Sequence, residues 1–186
     1  MTKIFAGVFL VLSIVGCTMQ VGGPDDTTIN KELVNRLMGW IEHETGYKAS
    51  IQPIVVASRE KFQQVMRLNG NLCGHGRALY IPGMVVLNNE NGWEHNDRLE
   101  VSLLLHELVH HAQLFSKREY PCKNSKEYEA YTLQNKWLAQ QGERPFASQA
   151  WIKKMSDCKI LDSVGQAAEE ESSSPQCIKN EGMWRE

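Results

Sequence analysis

At 186 residues the chain is long enough for one domain with a real core and short for two. Its 42% hydrophobic and 23% charged residues are ordinary for a globular protein. A net charge of -2, with lysines and arginines scattered and no basic stripe, argues against nucleic acid as a partner.

The chain begins with a short basic start at Lys3 and an apolar run from Ile4 to Val15. Such a run is too short to span a bilayer and suits a signal-peptide core, so residues 1–16 are predicted to be a leader. It ends Ile14-Val15-Gly16-Cys17, which resembles a bacterial lipobox. The resemblance implies export and a lipid on Cys17 that ties the protein to a membrane. Thr18, where aspartate would favour inner-membrane retention, points to the outer membrane, facing the periplasm. Residues 17–27 read as a tether, with two glycines, a proline and two acids between Val21 and Asp26. Cys73, Cys122, Cys158 and Cys177 remain. An even number in an exported chain without a CxxC predicts two disulfides rather than a thiolate metal site. Three pairings are possible, and the favoured one joins Cys73 to Cys122 and Cys158 to Cys177.

The predicted domain spans residues 28–162. Thr28 can cap a helix running to about Glu44, with Leu33, Leu37, Met38, Trp40 and Ile41 at helical spacing and Gly46 as a stop. Ile51 to Ala57 is rich in β-branched residues and reads as a strand, pushed to a sheet margin by Pro53. Ser58 caps a short helix to about Leu68, and Asn69 to Gly76 is loop. Ala78 to Ile81 and Met84 to Asn88 form a hairpin about Pro82-Gly83. After a loop from Asn91 to Asn96, Asp97 and Glu100 make a capping box for a helix running to about Phe115. That helix is apolar nearly all round, as a central element must be. Further helices are expected from about Ser125 to Gln141 and Ala147 to Lys159. Residues 163–186 form an acidic, serine-rich tail pinned by Cys177. These elements predict an α+β domain with a small antiparallel or mixed sheet packed on the central helix.

The central helix carries His106-Glu107-Leu108-Val109-His110. Histidines at i and i+4 share one helix face and can reach one zinc ion. Glu107, turned about 100° away, can act as a general base on a metal-activated water without ligating. The same pattern also arises by chance, with both histidines satisfied in a core, so a third ligand decides the reading. His111 lies about 140° round the helix from His106 and faces elsewhere. Glu127 and Glu129 on the next helix are the candidates. Glu127 falls within the stripe of Ala130, Tyr131, Leu133, Gln134, Trp137 and Leu138, whereas Glu129 is about 200° round with Lys136 and Thr132 on a side that looks solvated. A glutamate facing a core wants a cation, which favours Glu127. Asn124 to Glu127 is also a capping box, the competing role for that carboxylate.

HELVH followed by Glu127-Tyr-Glu-Ala-Tyr resembles the gluzincin metallopeptidases, minigluzincins in particular. The HELVHH…Cys…Glu-x-x-Ala-Tyr-x-x-Gln run is similar to a family of uncharacterised bacterial exported proteins. The resemblance covers about Met84 to Leu138. It implies a zincin-like fold, zinc held by His106, His110 and Glu127, and hydrolysis of a peptide or protein substrate with Glu107 as base and acid. The position that some relatives fill with Asp or Asn, to orient the histidines, holds Tyr131 here. Sixteen residues separate His110 from Glu127 and eighteen separate it from Glu129, the latter closer to one large aminopeptidase spacing. Tyr131, His75 and His95 are candidate oxyanion donors. Substrate is expected antiparallel to an edge strand, with Met84 to Asn88 in that role. The other reading is a zinc-binding lipoprotein of peptidase-like fold that cleaves nothing and serves as a binding or assembly module.

Overall fold

The computed structural model describes residues 27–68 and 76–159. The leader, Cys17, most of the tether, Cys73, His75, Cys177 and the tail lie outside these residues. Among the described residues, no helix is long and apolar enough to cross a membrane.

Among the described residues, five helices and a small mixed sheet make an α+β domain, as the sequence predicts. The first described element is a strand, β1 (Thr27–Thr28), and the helix α1 (Lys31–Thr45) follows it. Asn30, not Thr28, caps α1 by accepting from the Glu32 N–H at 2.7 Å. Leu33, Val34, Leu37, Met38 and Ile41 recur with the helical period and bury its inner face. Gly46 then ends the helix at φ 73°, a left-handed conformation that glycine reaches without steric cost.

The strand β2 (Ile54–Ala57) is not marginal: it pairs antiparallel with β1 and parallel with β4 (Met84–Leu87). Pro53 stands just before its first residue, where no ladder hydrogen bond is lost. After the helix α2 (Arg59–Leu68), β3 (Ala78–Ile81) pairs antiparallel with β4, giving the order β1-β2-β4-β3. The edge strand beside the central helix is therefore β3, and the expectation for Met84 to Asn88 is corrected. The reason is legible in β4 itself. Val85, Val86 and Leu87 are consecutive and all buried, which requires cover on both faces and a neighbour on each side.

The helix α3 (Arg98–Phe115) crosses the sheet, and α4 (Ser125–Gln140) packs antiparallel to it. Asp97 caps α3 through the Leu99 and Glu100 N–H groups, while the Glu100 side chain pairs with Arg77 instead of closing the box. Leu104, Leu105, Leu108 and Val109 are fully buried and join α1, β2, β4 and α4 in one core. The short α5 (Gln149–Met155), capped by Ser148, closes the described domain against α4. Cys122 is bonded to Cys158, which corrects both expected pairings and staples the α3–α4 loop to the end of α5.

Candidate metal centre

The site is built from one face of α3, the first turns of α4 and the edge of β3. His106 and His110, one turn apart, bring their Nε2 atoms to 3.1 Å of each other. Glu127 projects between them, Oε2 at 3.2 Å from the His106 Nε2 and Oε1 at 3.3 Å from the His110 Nε2. Asn124 makes no side-chain cap, so Glu127 has no reciprocal capping role and turns to the histidines. These three residues can hold a metal ion.

Two glutamines aim the rings. The Gln113 Nε2 donates to the Lys126 carbonyl at 3.1 Å and to Glu129 Oε2 at 3.0 Å, both pure acceptors. Its Oε1 must then face the His110 Nδ1, 2.9 Å away, and that nitrogen is the donor. The Gln134 Nε2 donates to Ser102 Oγ at 3.0 Å, whose proton goes to the Leu99 carbonyl at 2.7 Å. Gln134 Oε1 accordingly accepts from the His106 Nδ1 at 3.2 Å. With both Nδ1 atoms protonated, both Nε2 lone pairs converge on a carboxylate, and such a cluster demands a positive charge.

A proton can supply that charge. Burial alone would lower the His110 pKa, but hydrogen bonding to Glu127 and the charges of Glu127 and Glu107 push it up to about 9. Burial likewise favours the neutral form of Glu127, yet the two histidines hold it well below the usual carboxylate range. Glu107 is raised by burial, partly offset by both histidines and by the Tyr80 backbone N–H that its carboxylate accepts.

Glu129 is not the solvated residue that helical phase suggests. Tyr47 Oη (2.9 Å) and Arg118 Nη1 (3.0 Å) donate to its Oε1, while Tyr120 Oη (2.6 Å) and Gln113 Nε2 donate to its Oε2. The α3–α4 loop folds over this side of α4 and covers most of the Glu129 side chain, leaving it partly buried. His111 does face away: its Nε2 meets the Ile51 carbonyl at 2.7 Å and its ring packs on Tyr80 and Phe115.

A cleft of about 510 Å³ opens over the cluster. Its floor is His106, Glu107, His110 and Leu114; Lys123, Lys126 and Tyr131 line it on the α4 side, and Ala78 to Tyr80 with Pro82 on the other. Tyr131 packs its ring 4.3 Å from that of His106, and burial followed by the charges of Glu127 and Glu107 raises its pKa. His95 is exposed in a turn and is not among the lining residues. The Asn88 N–H to Arg77 carbonyl bond sets the phase of the β3–β4 ladder, so the backbone groups of Ala78 and Tyr80 point away from β4. The Arg77–Glu100 pair sets the Ala78 end of β3 by the start of α3, and the Tyr80–His111 contact carries the strand towards the helix C-terminus.

Sequence reasoning missed the supports. Gln113 lies one turn beyond His110, and Gln134 is seven residues beyond Glu127, on the same face. A polar residue within an apolar stripe is itself a signal, because burial obliges it to find a partner. Tyr47, Arg118 and Tyr120 had no such signal, since loop packing brings them together.

The fold and site thus define an α+β domain with a His-His-Glu cluster on two antiparallel helices. Residues 26–163 match the family described as Domain of unknown function (DUF6647), and the chain belongs to it. No curated protein and no solved structure matches the chain.

Proposed function

We propose that the protein is a zinc-dependent peptidase of the exported, lipid-anchored kind that the leader and Cys17 suggest. The observation that carries this reading is the convergence of four ligand atoms: the two Nε2 atoms 3.1 Å apart, one Glu127 oxygen 3.2 Å from His106 and the other 3.3 Å from His110. Ligands on a tetrahedral zinc, with bonds of about 2.0–2.2 Å, sit roughly 3.4 Å apart, so small adjustments accommodate the ion. Two imidazoles and one carboxylate are three protein ligands, the number that a catalytic rather than structural site supplies, and all three line the cleft.

His106, His110 and Glu127 would hold the zinc, which would supply Lewis acidity to a water and to a substrate carbonyl. Glu107 then takes the proton at its carboxylate and returns it to the departing amine; its raised pKa suits both transfers. The Tyr80 N–H holds that carboxylate in the cleft. Tyr131, protonated at neutral pH, offers its hydroxyl to the developing oxyanion. An extended peptide lies along β3, hydrogen-bonded to the outward groups of Ala78 and the Tyr80 carbonyl, as in strand addition.

The test compares the full chain with Glu107→Gln for metal content and for cleavage of a mixed peptide library. Retained metal with at least about 100-fold slower cleavage supports the reading. Metal-loaded wild type that cleaves nothing, envelope proteins included, overturns it in favour of a non-catalytic zinc-binding module.

A further inference from the structure

The two ligand histidines are supported differently. Behind His106, Gln134 of α4 leads back to Ser102 of α3 and the path ends on the Leu99 carbonyl, neutral throughout. A serine hydroxyl can donate or accept, so this path fixes the amide only through the further bond. Behind His110, Gln113 leads to Glu129, whose two oxygens accept from every partner they meet. The direction of the relay is thereby set: Glu129, together with the Lys126 carbonyl that the same Nε2 reaches at 3.1 Å, fixes the amide, the amide fixes Nδ1–H on His110, and the His110 Nε2 is left bare towards Glu127.

Glu129 is itself immobilised. Each of its oxygens takes two donors, and three of the four come from outside α3 and α4: Tyr47 after α1, and Arg118 and Tyr120 in the α3–α4 loop. With both oxygens occupied, it is unsuited to ligate. We propose that Glu129 is a positioning residue which, acting through Gln113, fixes the tautomer and orientation of His110 and so sets how tightly the cluster binds its metal. This rests on the metal-site reading above. Partners of this kind behind a ligand histidine are typically worth about 10- to 100-fold in metal affinity.

The experiment measures zinc affinity by chelator competition, and the visible absorption of the cobalt-substituted protein, for wild type, Glu129→Gln, Gln113→Met and the double variant. Each single change should weaken zinc about tenfold or more and alter the cobalt spectrum in the same way. The double variant should be no weaker than Gln113→Met alone, because both changes cut one path. Multiplying losses in the double variant, or unchanged affinity in Glu129→Gln, would overturn the proposal. If Glu129→Gln does not fold, Gln113→Met decides alone, since it leaves Glu129 its three outside donors; unchanged affinity and spectrum there refute the relay. A wild type that binds neither metal refutes the metal site itself and this inference with it.

Discussion

Proton and metal compete for the same place in this site, and the competition has a calculable size. In the metal-free protein His110 carries a pKa of about 9, so at pH 7 it is almost fully protonated. A metal must expel that proton. Two pH units below the pKa this costs about 2.7 kcal/mol, a roughly 100-fold weaker apparent affinity at pH 7 than above pH 9. Zinc affinity should therefore rise by about one log unit per pH unit from pH 7 and flatten near pH 9. Calorimetry at pH 7 in buffers of different ionisation enthalpy should count about one proton released from His110. Stability follows the same linkage with a definite sign. The folded pKa is raised above the ordinary 6.5, so this contribution is fully present below pH 6.5 and is lost as pH rises through about 9. The metal-free protein should lose up to about 3 kcal/mol across that window. Glu127→Gln provides the control. It removes the principal upward influence on His110 and leaves burial to dominate, so the slope should vanish above pH 7 while affinity falls. A zinc affinity independent of pH between 7 and 8.5 in wild type would refute the reasoning.

Replacing both Cys122 and Cys158 by serine opens a closure of 36 residues, which should cost about 4 kcal/mol and lower the thermal midpoint; non-reducing peptide mapping should recover the Cys122–Cys158 link. Lys123 and Lys126 line the cleft, and among the described residues neither pairs with a carboxylate, although Lys126 sits 5.4 Å over the Tyr120 ring. Lys126→Glu should thus shift kcat/KM between matched peptides bearing Glu and Lys beside the scissile bond by about fivefold, and an unchanged ratio would remove the lysine from substrate recognition. Chelation should leave circular dichroism and cooperative unfolding intact, because the contact of α3 with α4 is made by buried leucines and alanines rather than by the cluster. Unfolding on chelation would instead mark a structural metal.

What the sequence made legible was whatever depends on helical phase. The i, i+4 histidines, the choice of Glu127 and the turn of His111 away from the cluster all follow from 100° per residue, and the structure brings each to its expected face. Phase failed for Glu129 because it describes one helix alone, and here a neighbouring loop supplied cover that the helix cannot foresee. The sheet was legible in its hairpin but not in its order. Val85 to Leu87 carried the signal of a central strand in their unbroken apolar run, while the place of β2 depended on pairing with Thr27 and Thr28, a strand of two residues and too short to show a pattern. The disulfides were not legible, because pairing is set by where the loop and α5 meet in space.

These failures share a cause that bears on the site. The ligands lie on two helices and are fixed by local geometry, whereas the groups that aim them come from positions that meet only after packing. Gln134 reaches Ser102 across the helix pair, and Glu129 collects donors from the end of α1 and from the α3–α4 loop. Neutral amides stand behind both histidines, so neither ring gains a carboxylate's basicity, and the carboxylates are Glu127, between the two rings, and Glu129, two hydrogen bonds behind His110. Such an arrangement holds the imidazoles in register before any ion arrives. It makes affinity for the metal a property of the assembled fold rather than of the HELVH pattern, which is why the same five residues elsewhere need not bind anything.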